Sequence, residues 1–339
     1  WHQRHTHTPQ SSSCCVGYLV AGEMAYLLDW RWAFRVTPPL AVSFMTVLCV
    51  FAEEPSRGAT ELGPATPVPT EETEEDDGVA EEKLSIRDFF TDLRLIWKTR
   101  SFAYSTLAFT AITFISGALS AWGPAFLIRL NCTHSKVAGR CKSQVNYSFG
   151  IIGSITGVCG TMLGAFLSQR YSRVSDSSDS IICAIGTLIS SPFIYLAIFL
   201  APMSMTYTWV SIFVAELCIG ITWAPVTAML LYVTQPTQRS FAAGIQTLTS
   251  HLFGDALSPI FVGWLADNLY FNDDQLSRAT ALQYALFPAA LFGVVSSFFF
   301  LLAARYVSED RRAVELAEQG LTDNADGLTP PNEAFLRDS

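Results

Sequence analysis

Long apolar runs alternate with short polar breaks along this chain, and the runs are of membrane length. Segments at 34–51, 102–128, 148–168, 180–201, 207–233, 240–266 and 281–304 are close to or above the roughly 20 mostly apolar residues that carry a helix across a hydrocarbon core. A shorter stretch at 14–28 is interrupted by Glu23. The pattern predicts one or two spanning helices, a break, and then a set of six. The break has a different texture. EEPSRGATELGPATPVPTEETEEDD, from residue 53, is rich in Pro, Thr and Glu and buries too little to fold by itself. LSIRDFFTDLRLIWKTR (84–100) places Ile86, Phe89, Phe90, Leu93, Ile96 and Trp97 at helical spacing opposite Arg87, Asp88, Arg94 and Lys98. That predicts an amphipathic helix, lying on a membrane surface or packed against cytosolic loops.

Composition agrees with the pattern. Half of the 339 residues are hydrophobic, only 15% are charged, and the mean hydropathy is +0.31. A soluble domain would carry about a quarter charged residues. The net charge of −9 comes largely from eight acids between Glu71 and Glu82, so it describes one solvated segment and points to no nucleic-acid partner. No nucleotide loop, zinc-protease helix or serine-hydrolase elbow appears, so the reading is of a membrane protein that is not an enzyme and needs no cofactor or metal. The opening WHQRHTHTPQSSS (1–13) is neither a membrane segment nor a signal peptide, and is expected to mark a truncated start.

Short-loop charges set the orientation. Lys98, Arg100, Arg170, Arg173, Arg239, Arg305, Arg311 and Arg312 fall on one side of six alternating helices, the cytosolic side; Lys136, Arg140, Lys142 and Arg278 fall on the other. The loop NCTHSKVAGRCKSQVNYS (131–148) is then luminal or extracellular. It holds glycosylation acceptors at Asn131 and Asn146, and an oxidising lumen would let Cys132 and Cys141 close a disulfide. The six helices also divide into two sets of three, with GAFLSQRYSR (164–173) and GWLADNL (263–269) ending the middle helix of each, as an inverted repeat would.

LTSHLFGDALSP (248–259) puts His251 and Asp255 inside an apolar run. Four residues apart, they share a helix face with Gly244, Thr247, Gly254 and Ser258. An acid facing lipid at a helix centre costs about 2.5–3.5 kcal/mol, so such groups turn towards a bundle interior or a wet cavity. Histidine also changes charge across the pH range from lysosome to cytosol. His251 therefore reads as a substrate or proton group, with interhelical hydrogen bonding as the alternative. Glu216, mid-helix in VAELCIG, is a candidate on the same ground.

Many of these segments resemble the spinster family of the major facilitator superfamily. The resemblance rests on WRWAFRVTPPL (30–40), EEPSRGA (53–59), FTAITFISGALSAWGPAFL (109–127), the two-cysteine loop, SSPFIYLAI (190–198), ITWAPVTAMLLYV (221–233), PTQRS (236–240), SHLFGDALSPIFVGWLAD (250–267) and YVSEDRRA (306–313). VGYLVAGEM (16–24) resembles the end of the family's fifth helix. The resemblance implies an all-α integral membrane protein with the major facilitator fold, present as its C-terminal six-helix bundle and the end of the N-terminal bundle. It implies an atypical segment at 1–13, the end of the fifth helix and the sixth at 14–52, an acidic cytosolic linker with an amphipathic helix at 53–100, the bundle at 101–306 and a tail at 307–339. The family's first four helices would be missing from this chain. Ala228 stands where the family commonly has an acid, and GAFLSQRYSR lacks the Asp-Arg pairing of the superfamily loop.

The function so implied is alternating-access transport of lysolipids or sphingoid lipids, with protons as an expected coupling partner, in the plasma membrane or the lysosomal or late endosomal membrane. His251, Glu216 and Asp255 would meet the polar head, and Trp122, Thr222 and Trp223, in the matched AWGPAF and TWAP segments, would complete the site. The alternative is a half-protein that transports nothing and pairs with or regulates a full-length relative. Pro124, Pro225 and Pro259 are expected to kink helices, and Gly153, Gly157, Gly160 and Gly164 to allow close helix approach.

Overall fold

A computed structural model describes residues 30–51, 86–132, 138–173, 175–272 and 277–326. The apolar stretch at 14–28, the acidic tract, the segment at 1–13 and the part of the tail at 327–339 lie outside the described residues. Among those described, every regular element is helical. The helices are α1 (Trp30–Phe51), α2 (Ile86–Lys98), α3 (Arg100–Asn131), α4 (Ala138–Tyr171), α5 (Ser178–Leu200), α6 (Met205–Gly220), α7 (Trp223–Val233), α8 (Arg239–Ser250), α9 (Leu257–Asn272) and α10 (Arg278–Asp326). Five segments, α3, α4, α5, α6 with α7, and α10, are long and apolar enough to cross a membrane. Of the two other expected spans, 240–266 is a helix interrupted by a π turn at His251–Asp255, and 34–51 falls in α1, whose apolar part, Pro38–Phe51, is shorter than a span.

Where an apolar run ends and where its helix ends are different matters. The loop expected at 131–148 is already helical from Ala138, so Cys141 and Asn146 belong to the first turns of α4. AGRCKSQVNYS contains no proline, and a helix can continue past the lipid boundary into water. For the same reason α10 runs on into the segment read as a tail, as far as Asp326.

α3 is the axis of the bundle and packs against α10, α8 and α9. Its Phe102, Ile112 and Ile115 are fully buried. Lipid chains are as apolar as these side chains, so helix association rests on packing and on hydrogen bonds between helices. Two such bonds join the α3, α10 and α5 group: Ser296 Oγ donates to Ala108 O (2.9 Å) and Ser191 Oγ to Ala290 O (2.6 Å). Gln283 Nε2 adds a third, to Ile198 O at 2.9 Å.

Elsewhere the helices meet backbone to backbone. A Cβ on Gly160 of α4 would lie 2.9 Å from Gly220 Cα, so only glycine allows that approach to α6. Gly117 of α3 lies as close to Asp255 Cα, at 2.7 Å from its would-be Cβ. α2 rests on the start of α3 through buried Ile96 and partly buried Leu93 and Trp97, with Trp97 edge-on to Phe102 at 6.1 Å; Phe90, Arg94 and Lys98 face outward. By contrast, every side chain from Pro38 to Phe51 of α1 is exposed.

Candidate functional site

Two helices are broken at the level where the chain carries its ionisable residues. Between α6 and α7 the backbone tightens, with Thr222 N–H bonding Ile219 O at 3.0 Å. Pro225 then offers no N–H to Ile221 O, whose carbonyl faces Gly164. The second break is the π turn, closed by Ala256 N–H to His251 O at 2.9 Å. Pro259 follows and leaves Asp255 O without its helical donor. Thr113 Oγ of α3 donates to Ser250 O (2.8 Å) at the start of this turn, and Gly254 fits closely over Thr113 and Phe114. Single π turns of this kind are frequent at functional sites.

A cavity of about 460 Å³ lies between these breaks. α3 contributes Thr113, Ser116, Gly117 and Ser120; α4 contributes Phe149, Gly153, Thr156 and Gly157. Glu216, Trp223, His251, Asp255 and Pro259 complete the wall. Four of the six side chains singled out from the sequence thus meet in one space: His251, Glu216, Asp255 and Trp223. His251 Nδ1 pairs with Asp255 Oδ2 at 2.5 Å, each side chain more than a third exposed. Thr156 Oγ donates to Glu216 Oε2 at 3.1 Å, yet it also lies 2.8 Å from Ile152 O. One hydroxyl proton cannot serve both acceptors fully. When it goes to the helix carbonyl, a protonated Glu216 can return the hydrogen bond. Trp223 is held edge-on by Phe109 at 5.2 Å.

The other two candidates have different surroundings. Trp122 Nε1 donates to Pro259 O (2.9 Å) and its ring covers Gly263, so it ties α3 to α9 behind the cavity wall. Thr222 is fully buried, its hydroxyl donating to Ile219 O (2.7 Å), and it shapes the α6–α7 break. Cys132 and Cys141 are disulfide-bonded with Cα atoms 5.7 Å apart. Asn131 Nδ2 donates to Leu127 O at 3.1 Å, and Asn146 is half-buried in α4.

Two features had no counterpart in the sequence reading. Thr156 shares a helix face with Gly153 and Gly160 but carries no charge that marks it in an apolar run. At the opposite end of the bundle from the disulfide, Tyr232 O–H donates to Asp179 Oδ2 (3.2 Å), while Arg311 covers the Tyr232 ring and pairs with Asp176 (3.1 Å) and Glu315 (2.9 Å). Asp310 Oδ2 accepts from Ser101 N–H at 2.8 Å. Together they pin α10, at Asp310 and Arg311, to α3, to α7 and to the turn before α5.

The sequence model of the Major Facilitator Superfamily matches residues 11–175, and that of the Organic Anion Transporter Polypeptide (OATP) family matches residues 201–269. Protein spinster homolog 1 of Xenopus laevis is 36% identical over 315 residues, which cover 91% of this chain and 57% of that protein. The Homo sapiens protein of the same name is 36% identical over 318 residues, with the same two coverages. Over about nine tenths of its length the chain is similar to spinster proteins. It spans about 57% of the length of these curated relatives. The sphingosine-1-phosphate transporter SPNS2 of Xenopus tropicalis is 31% identical over 310 residues, covering 89% of this chain and 56% of that one.

A crystal structure of a bacterial homolog of the human lysosomal transporter spinster, inward-facing and unoccupied, superimposes with a TM-score of 0.59 at 17% identity. It matches 89% of this chain and 69% of that one, and together with the superfamily match over 11–175 fixes the fold as that of a major facilitator protein. The chain is an integral membrane protein, and the proteins it is similar to are transporters and not enzymes.

Proposed function

We propose that this chain forms the C-terminal half of the pathway of an alternating-access transporter for single-chain amphipathic lipids, of the lysophospholipid or sphingoid-phosphate class. The observation that carries the reading is the cavity itself. It lies at two helix interruptions and is lined by Glu216, His251 and Asp255, groups that a membrane segment retains only where they meet a polar partner or a pathway. Trp223 and Phe149 supply apolar area on the same wall. The relatives include a named sphingosine-1-phosphate transporter, which supports the lipid class.

Protons are the proposed coupling ion. His251 with Asp255, and Glu216 with Thr156, are two groups able to accept a proton on different walls of one space. The test is lipid transport by the full-length protein in proteoliposomes across a range of pH. His251→Ala and Glu216→Gln are each expected to slow transport at least tenfold and to flatten its pH profile. An unchanged rate and profile in both variants would remove the role.

A further inference from the structure

A second, smaller hollow adjoins the first. It has a volume of about 50 Å³ and shares Leu119, Phe149, Glu216 and Ile219 with the large cavity, so these four form its mouth. Behind the mouth the lining is almost wholly apolar: Phe126 of α3, Ile194 and Ala197 of α5, Ala215 of α6 and Leu286 of α10. All five are at most 7% exposed, which closes the hollow towards the outside of the bundle. Its interior hydroxyl, on Thr208, already donates to Ser204 O at 2.9 Å. A water there would lack the two to four polar partners that buried water needs.

Protein interiors leave few voids of this size. At 10–15 Å³ of probe-occupied space per water-sized group, the hollow holds about three to five such groups, which is the end of a hydrocarbon chain and no more. Its mouth is built to hold a gate. Phe149 sits against Gly123, where a Cβ would come within 3.2 Å of the ring, and is braced edge-on by Trp209 at 5.2 Å. Glu216 stands at the same mouth, where polar space meets apolar space.

From this arrangement we infer that the hollow is a chain-end subsite: it takes the terminal methylenes of the lipid whose head lies in the large cavity, with Phe149 as the gate and Ala215 setting the length admitted. The inference rests on the lipid-transport reading above and adds a site inside the C-terminal bundle. Ala215 lines the hollow but not the large cavity. Enlarging it fills the subsite and leaves the head-group wall unchanged.

The test uses the 339-residue chain in lipid nanodiscs with two photoactivatable 18-carbon lysophospholipids. One carries its diazirine near the terminal carbon and the other beside the head group. Labelled residues are mapped by mass spectrometry with and without excess unlabelled lipid. The terminal probe is expected to label Ala197, Ala215 or Leu286 and to be competed. Ala215→Leu should lower that labelling about tenfold, in line with the cost of overpacking a filled site, and leave head-proximal labelling at the large cavity unchanged, which also reports that the variant is folded. Competed terminal labelling confined to outward-facing residues such as Phe213 or Leu291 would overturn the subsite while sparing the transport reading, as would an Ala215→Leu variant labelled like the parent. If neither probe is competed, the transport reading fails and the subsite falls with it.

Discussion

One side of the bundle is made of interrupted helices and the other of continuous ones, and the two sides are held together by different means. α5 and α10 run unbroken and are tied to each other and to α3 by hydroxyls, Ser191 and Ser296, that reach across to a neighbour's carbonyl. Where α3 and α4 meet α6, α7 and the π turn, glycines bring the backbones nearly into contact, beside ties such as Thr113 to Ser250 O. The cavity is found only on the second side. A broken helix exposes carbonyls and turns polar side chains inward, so it can line a polar space. It also gives up internal hydrogen bonds, and close glycine packing compensates. The continuous side has no such polar space to line, and the one close glycine approach between its own helices among the described residues, Gly293 of α10 on Ser191 and Thr187, is looser than those at Gly160 and Gly117.

The comparison predicts its own largest effect. Gly160→Leu would force α4 away from Gly220, because the contact is with backbone and no side chain can swing aside. The expected loss is about 3 kcal/mol or more, the upper range for overpacking, read as a sharp fall in the melting temperature of the detergent-solubilised protein. Gly244→Leu is the control. Its would-be Cβ has nothing within 4 Å, and it should melt like the parent. Equal losses in the two variants would mean that the α4–α6 approach contributes nothing special.

Next in size is Thr113→Val, which keeps the volume and removes the hydroxyl that meets Ser250 O at the start of the π turn. A buried carbonyl losing one of its donors costs about 1 kcal/mol. In this position the loss should also loosen the turn that presents His251 and Asp255. The expected result is a modest drop in melting temperature with a larger drop in lipid binding. A drop in stability alone would separate the turn from the site.

These breaks mark the limit of what the residues disclose. The apolar runs gave the all-helical membrane fold because a hydrocarbon core imposes a length on any helix that crosses it. His251, Glu216 and Asp255 stood out because charge in an apolar run is costly and therefore rare. Thr156 did not stand out, since a threonine costs little in a membrane helix and its importance lies only in standing opposite Glu216. Pro225 and Pro259 predicted kinks, but the π turn depends on Gly254 fitting against Thr113 and Phe114, a contact between segments 137 or more residues apart in the case of Thr113 and Ser250. Helix ends at Ala138 and Asp326 were equally hidden, because hydropathy reports entry into lipid and not the end of the backbone hydrogen-bond ladder.

The smallest predicted effect tests whether the two sides are independent. Ser296→Ala removes the hydroxyl that joins α10 to Ala108 O, on the continuous side. Ala108 O lies within α3 and already accepts a helical N–H, so the variant loses a second bond and leaves no bare carbonyl. Hydrogen bonds between membrane helices average about 0.6 kcal/mol, which sets the expected loss. Thr113 and Ser296 act on the same helix, α3, at neighbouring turns but towards different partners. If α3 is a rigid axis, the double variant Thr113→Val with Ser296→Ala should lose the sum of the single losses to within about 0.3–0.5 kcal/mol. A larger departure would show that the two sides share strain through α3, and that a change at the π turn is felt by the helices that do not line the large cavity.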